Sequence, residues 1–115
     1  MKVRQAVTLA SLCVVAATQA MAGSQTGLVK DVYVRDSDGL VLVDLTGTAT
    51  LKPNCALRSY WIVPNEKTDS GKRLYTMLLA AQLAGRPVTI IGKNTCTRWG
   101  DGEDIDTVGL NSTQQ

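Results

Sequence analysis

Histidine and phenylalanine are both absent from this 115-residue chain. Without histidine, the protein cannot contain a Ser-His-Asp or Cys-His nucleophile pair or a histidine-based zinc site. We find no other nucleophile motif, and we assign no catalytic, cofactor-binding or metal-ligating residue. Aromatic residues are also scarce, with 3 tyrosines and 2 tryptophans. We therefore expect a mostly aliphatic core and a protein that is not an enzyme.

Long apolar runs are missing except near the start of the chain. Lys2 and Arg4 precede a mostly apolar run over residues 6–17, and Ala20-Met21-Ala22 follows it. These are the parts of a secretory signal peptide, and the run is too short to cross a bilayer of ~30 Å as a helix. We expect residues 1–22 to be a signal peptide cleaved after Ala22, and residues 23–115 to form a single periplasmic or secreted domain without a membrane span. The alternative is that residues 6–17 form a hydrophobic first helix of the domain.

An excess of one sign of charge is also missing once the signal peptide is removed. The chain has 12 basic and 10 acidic residues. Removal of Lys2 and Arg4 leaves equal numbers. A basic surface is the usual mark of a nucleic-acid-binding domain, so we expect no nucleic-acid partner.

Cysteine is used sparingly, at 3 positions. Cys13 lies in the expected signal peptide, which leaves Cys55 and Cys96. An even pair in an exported chain predicts a disulfide. The alternative is that these two are free thiols that act as a redox or metal-binding pair.

The pattern along residues 23–115 predicts five strands and one helix. Residues 23–27 look like a loose start. Strands are expected over residues 28–34, 40–46, 57–63, 88–91 and 105–110, and a turn is expected over residues 36–39. The stretch TDSGKRLYTMLLAAQLAG predicts the helix, with Asp69 or Ser70 as its cap and Gly85 as its left-handed end.

The resulting order β-β-β-α-β-β is that of an OB-fold, a small β-barrel with one helix. Cys55 lies just before the third strand and Cys96 just after the fourth, so a disulfide would join two parts of the barrel. A generic α+β sandwich is the alternative.

Four carboxylates crowd the stretch before the last strand: Asp101, Glu103, Asp104 and Asp106. They could bind a cation, but the register of a calcium loop and its later glutamate are missing. They could form an acid/base pair, but neighbouring carboxylates on one turn do not place two groups across a cleft. We favour a turn whose carboxylates face water, with one of them pairing with Arg98 or Arg86.

The aromatic residues supply the candidate ligand-binding positions. Trp99 sits in a polar loop, where an exposed indole can stack on a sugar ring or a partner surface. Its alternative role is to pack over the disulfide or the open end of the barrel. Tyr33 and Tyr60 are further candidates because either could lie on the outer face of the sheet. Trp61 is expected in the core.

Residues 54–110 contain a pattern made of Cys55, Trp61-Ile62, Gly71-Lys72, Leu74-Tyr75, the segment 78–81, Ala84-Gly85, the segment 88–90, Gly92, Cys96 and WGDGEDIDTVGL. In this pattern the chain resembles a group of small exported bacterial proteins that are similar to the B subunit of subtilase cytotoxin. The resemblance implies an OB-fold and, from the toxin, a ring of five B subunits that binds cell-surface sialylated glycans and carries an enzymatic A subunit. No sugar-contacting residue of the toxin is carried over to this chain.

Two functions follow as expectations. The first is an exported, non-catalytic binding domain, glycan-binding and oligomeric like a toxin B subunit. The alternative is a free-standing exported domain that binds a protein or has a structural role, such as an inhibitor or envelope factor.

Overall fold

The computed structural model describes residues 22–111, together with residues 6, 10, 11, 13 and 14. Most of the expected signal peptide therefore lies outside the described residues, as do residues 112–115. The elements of the described part are β1 (Ser24–Val34), β2 (Val41–Leu45), β3 (Trp61–Ile62), α1 (Asp69–Ala84), β4 (Pro87–Gly92) and β5 (Glu103–Leu110).

The five strands close into a barrel in the order β1-β2-β3-β5-β4. β3 and β5 run parallel, and the other neighbouring pairs are antiparallel. α1 lies between β3 and β4 in the chain, as predicted. The OB-like barrel is confirmed, and the α+β sandwich is wrong.

β1 closes the barrel because it pairs with two different strands. Its first half pairs with β4, with Ser24 opposite Ile91. Its second half pairs with β2, with Val34 opposite Val41. A shift in register after Val29 lies between the two halves, where an extra residue bends the strand and increases its twist. The predicted loose start over residues 23–27 is therefore wrong, since most of that segment is the beginning of β1.

The barrel interior is filled by aliphatic side chains around one tryptophan. Val41, Val43 and Leu45 alternate inward along β2, and Trp61 of β3 joins them with no exposed surface. The Trp61 indole N–H donates to the Gln25 side-chain oxygen at 2.7 Å, so its polar atom is satisfied inside the core. The prediction that Trp61 is a core residue is confirmed.

α1 begins one residue earlier than the sequence suggested. Thr68 is the N-cap, and its hydroxyl accepts the Gly71 N–H at 3.1 Å. Asp69 and Ser70 lie in the first turn, so the prediction that one of them caps the helix is wrong. Gly85 ends the helix with φ 61°, the left-handed conformation that glycine adopts most easily. Leu78 and Ala81 are buried against the barrel.

β3 is much shorter than the predicted strand over residues 57–63. Before β3, the Lys52 ammonium donates to the carbonyl oxygens of Arg58, Ser59 and Tyr60 at 3.4, 3.1 and 3.0 Å. The same ammonium lies 4.1 Å from the centre of the Trp61 ring. These carbonyls bond to a side chain instead of a neighbouring strand, and Leu57 is 80% exposed. The predicted beginning of this strand at residue 57 is therefore wrong.

The predicted disulfide is present between Cys55 and Cys96, whose Cα atoms are 6.1 Å apart. It joins the segment before β3 to the loop between β4 and β5. The alternative of two free thiols is therefore wrong.

Candidate binding face

The β4–β5 loop, residues 93–102, is held in shape by the buried carboxylate of Asp104. One oxygen accepts the Thr95 hydroxyl at 2.7 Å, the Thr97 N–H at 2.9 Å and the Thr97 hydroxyl at 2.6 Å. The other accepts the Arg98 N–H at 3.3 Å. Burial alone would raise the pKa of Asp104, but these hydrogen bonds outweigh it and hold the pKa below its ordinary value. The ionised side chain therefore fixes the loop that carries Trp99.

Arg98 connects this loop to two other segments at the same end of the barrel. Its guanidinium donates to the Glu66 carboxylate at 2.8 and 3.1 Å, and to the Asp38 carbonyl oxygen at 3.1 Å. The Arg98 hydrogen bonds lower the pKa of Glu66. A bidentate arginine–carboxylate contact fixes both the distance between the two side chains and their relative orientation. The β1–β2 turn, the β3–α1 segment and the β4–β5 loop therefore form one connected surface.

Trp99 lies on this surface beneath a second arginine. The Arg35 guanidinium carbon is 4.4 Å from the centre of the Trp99 ring, within the range of a cation–π contact. Arg35 is held in place by Asp38, to which it donates at 2.8 and 2.6 Å. This hydrogen bond is the main reason why the pKa of Asp38 is well below its ordinary value. Trp99 remains 39% exposed, so it neither joins the core nor stands free of the surface.

Tyr60 lies next to Trp99 in a small polar cluster. Its hydroxyl donates to the Asp101 carboxylate, whose other oxygen lies 3.8 Å from Arg58. Burial and the Asp101 carboxylate raise the pKa of Tyr60, while a side-chain hydrogen bond from Trp99 opposes the shift. The phenol thus stays protonated at neutral pH and can orient its hydroxyl. The structure brings together two of the three predicted aromatic residues.

Tyr33 occupies the same outer face but lies farther along the sheet. Strand register places it opposite Leu42, which in turn lies opposite Ile62. Because alternate side chains share a face, Tyr33, Leu42 and Ile62 lie on the opposite side of the sheet from Trp61, where Ile62 is fully buried. Tyr33 is 56% exposed. We call the surface formed by Tyr33, Arg35, Tyr60 and Trp99 the aromatic face.

The acidic stretch differs from the predicted solvent-facing turn. Glu103 and Asp104 are 0% exposed, because they lie opposite Trp61 and Ile62 in the parallel pairing of β5 with β3. Asp106 is exposed as expected. The expected pairing with Arg98 or Arg86 is also wrong, since Asp101 pairs with Arg58 and the Arg98 side chain pairs with Glu66 and Asp38.

Sequence reasoning also missed the residues that brace the aromatic face. Arg35, Asp38 and Glu66 come from different segments, so no local spacing connects them. The only available signal was the closeness of Arg35 and Asp38 across a predicted turn, a geometry that suits ion pairing.

The described residues contain no group of three or more histidine, cysteine, aspartate or glutamate side chains that could hold a metal ion. The buried carboxylates bind backbone and hydroxyl donors instead. Within the same residues, no helix has the length and apolar character needed to cross a membrane.

Comparisons of the chain with protein-family models, curated proteins and solved structures found no match.

Proposed function

We propose that the protein is an exported, non-catalytic binding domain that recognises carbohydrate with its aromatic face. The observation that carries this proposal is that the Trp99 ring is exposed but held in a fixed position. Its ring is substantially exposed, while Arg35, Tyr60 and the loop fixed by Asp104 hold it in one place. A pre-positioned exposed aromatic ring loses little conformational freedom when it binds a ligand.

The position of this face on the barrel supports the same proposal. OB-folds bind oligosaccharides and oligonucleotides with the face of strands two and three and with the β1–β2 and β4–β5 loops. Arg35 follows β1, Trp99 lies in the β4–β5 loop, and Tyr60 precedes β3. The balanced charge of residues 23–115 favours a neutral or weakly charged sugar over a polyanionic nucleic acid.

The chemistry of the face suits a sugar ring. The apolar side of a pyranose can stack on an indole or phenol, while its hydroxyls need nearby donors and acceptors. Arg58 and Asp101 provide both next to Tyr60. A partner that stacks on Trp99 would therefore find polar groups at the edge of the ring.

The proposal also includes export of the chain and its assembly into a homo-oligomer. The disulfide suits an oxidising compartment, and residues 1–22 would act as the signal peptide that sends the chain to the periplasm or outside the cell. The resemblance to toxin B subunits adds a homo-oligomer, a ring of five, in which each copy presents one aromatic face.

A glycan screen of the oxidised, processed protein tests this function. We expect binding to a defined glycan class, and Trp99→Ala should reduce that binding at least tenfold without loss of the fold. Leu83→Ala is the matched control, because Leu83 is an 81% exposed apolar residue on α1, away from the aromatic face. Absence of binding across a broad glycan set, or equal effects of the two substitutions, would contradict the proposal.

A protein partner is the second candidate, and one surface feature favours it. A groove of about 480 Å³ lies between the β1–β2 hairpin and α1, with Val34, Val41 and Tyr75 among its lining residues. Val34 is exposed, and the adjacent Tyr33 belongs to the aromatic face. Recovery of one stoichiometric protein partner that Val34→Asp abolishes, in a protein that binds no glycan, would favour this function.

A further inference from the structure

Glu103 presents a buried carboxylate to the first residue of the barrel. Its side chain is 0% exposed. Its two oxygens accept the Gly23 N–H at 3.2 and 3.1 Å, and one of them also accepts the Asn94 N–H at 3.0 Å. Gly23 comes directly before β1 and lies 80 positions earlier in the chain. The carboxylate therefore holds the start of the strand that closes the barrel.

The charge of this carboxylate lacks a close cationic partner. Among the described residues, no lysine or arginine forms an ion pair with Glu103 within 4.0 Å. Lys52 is the cation that interacts with it through space, but the Lys52 ammonium is occupied by three carbonyl oxygens and the Trp61 ring. A buried charge is costly unless it is paired as well as hydrogen-bonded.

Two glycines form the walls around the carboxylate. A Cβ atom at position 92 would overlap one Glu103 oxygen, and a Cβ atom at position 23 would lie 2.5 Å from the other. The Gly92 N–H donates to the Gly23 carbonyl oxygen at 2.9 Å. A side chain at position 23 would therefore press on the Glu103 and Lys52 side chains, and the Gly23 nitrogen points at the carboxylate.

The expected signal-peptide cleavage site is the bond between Ala22 and Gly23. Hydrolysis of this bond consumes one water molecule, leaves a carboxylate on Ala22 and turns the Gly23 nitrogen into an ammonium group. An amide has one N–H that can donate to the two Glu103 oxygens. An ammonium group has three N–H donors and carries a positive charge. An α-amino group with an ordinary pKa of about 7.7–8.0 is mostly protonated at neutral pH.

We infer that removal of the signal peptide creates a buried ion pair between the α-ammonium of Gly23 and the carboxylate of Glu103. The pair rests on the export processing proposed above but is independent of the ligand. It places a positive charge in direct contact with Glu103, at the position that the amide already occupies. Because β1 pairs with both β2 and β4, the pair stabilises the closed barrel only after processing.

The reactivity of the N-terminal amine tests this inference. The full chain is expressed in a host that exports it, and mass spectrometry establishes the N-terminus of the processed protein. A second chain carries one serine inserted between Ala22 and Gly23, so that processing leaves the amine one residue away from Glu103. We expect an amine-reactive acylating reagent to modify the Gly23 amine at least tenfold more slowly than the amine of the inserted serine.

The substitution Glu103→Gln adds a second readout. The serine insertion should lower the melting temperature when Glu103 is present and have a much smaller effect in the Glu103→Gln background. If Glu103→Gln does not fold, the two wild-type-background proteins still give the amine rates. Equal rates in those two proteins would overturn the inference.

The possible outcomes distinguish failure of the ion pair from failure of the proposed signal-peptide cleavage and of glycan binding. A processed protein that begins elsewhere than Gly23 would contradict the proposed cleavage and the ion pair together. A protein that begins at Gly23 but has a fully reactive amine would contradict the ion pair alone. Neither result depends on glycan binding, which is measured separately.

Discussion

Asp104 shows how one side chain can organise an exposed loop. Its carboxylate binds donors from Thr95, Thr97 and Arg98, so successive residues of the β4–β5 loop are fixed to the start of β5. Trp99 follows directly. The buried Asp104 carboxylate therefore fixes the loop that carries the exposed indole, in addition to the contacts of the ring with Arg35 and Tyr60.

The substitution Asp104→Asn tests this role. The amide can accept fewer of the four hydrogen bonds and has no charge, so we expect the free energy of unfolding to fall by about 1–3 kcal/mol. Urea denaturation measures the change. Asp106→Asn is the matched control, because Asp106 is exposed two residues away, and its effect should stay within about 0.5 kcal/mol. Equal losses from the two substitutions would mean that Asp104 does not hold the loop.

The lowered pKa of Asp104 predicts a dependence of stability on pH. A carboxyl group whose pKa is lower in the folded state stabilises the fold above its unfolded pKa, about 3.9. That stabilisation disappears as pH falls through the folded pKa. We expect the difference in urea midpoint between the wild type and Asp104→Asn to be full at pH 7 and to shrink progressively below about pH 4. A difference that stays constant down to pH 2 would contradict the assignment.

Residue-scale environments were the least predictable part of the molecule from sequence. Cys55 and Cys96 were identifiable because their chemistry and count leave few options. Glu103 and Asp104 were mistaken for surface residues, because their burial depends on β3 lying parallel to β5 and on donors from residues up to 80 positions away. No local pattern contains that information.

At the scale of elements, α1 was predicted well and its first turn was not. Leu78 and Ala81 follow the helical period, and Gly85 fixes the end. Three consecutive polar residues, Thr68 to Ser70, can each act as a cap, so composition alone does not choose among them. The structure shows Thr68 accepting the Gly71 N–H.

Thr68→Ala should therefore weaken α1 more than a change at the neighbouring acidic position. Loss of the cap is expected to lower the free energy of unfolding by about 1 kcal/mol. Asp69→Asn should cost only about 0.3 kcal/mol, since it removes a favourable charge near the helix N-terminus but no cap. Thermal or urea unfolding distinguishes the two. A larger loss from Asp69→Asn would restore the original prediction.

The disulfide acts on two elements at once, the segment before β3 and the β4–β5 loop. Cys55 and Cys96 are 41 positions apart, so the chain-entropy model predicts that Cys55→Ser lowers the free energy of unfolding by roughly 4 kcal/mol. Denaturant unfolding of the wild type with reductant should show a similar loss. As a control, reductant should have no further effect on Cys55→Ser. A wild-type melting temperature that does not change on reduction would contradict a stabilising role.

β3 illustrates why strand length was harder to predict than strand existence. The apolar run around Trp61 gave the right location, but Lys52 competes for the backbone carbonyls of residues 58–60. The residue pattern of the strand itself contains no information about a lysine that lies outside it. Such competition between side chain and backbone appears only when the barrel brings distant segments together.

At the scale of the whole molecule, the element order favoured the barrel but left an α+β sandwich as the alternative. Three strands, a helix and two further strands have few compact arrangements, because connections stay short and a small barrel leaves no open edge. The aromatic face was only partly predictable. Trp99 and Tyr60 were identified as candidates, whereas their bracing by Arg35 and Asp101 depends on how loops meet at one end of the closed barrel.

For the whole molecule, we propose that this barrel acts as a repeated binding unit, with one aromatic face in each copy. The most direct measurement is the absolute mass of the oxidised, processed protein in solution by light scattering. From the resemblance to toxin B subunits we expect a closed ring with five times the mass of one chain, and such a ring would turn weak single sites into an effective multivalent binder. A single chain at all concentrations would contradict the toxin-B-like assembly.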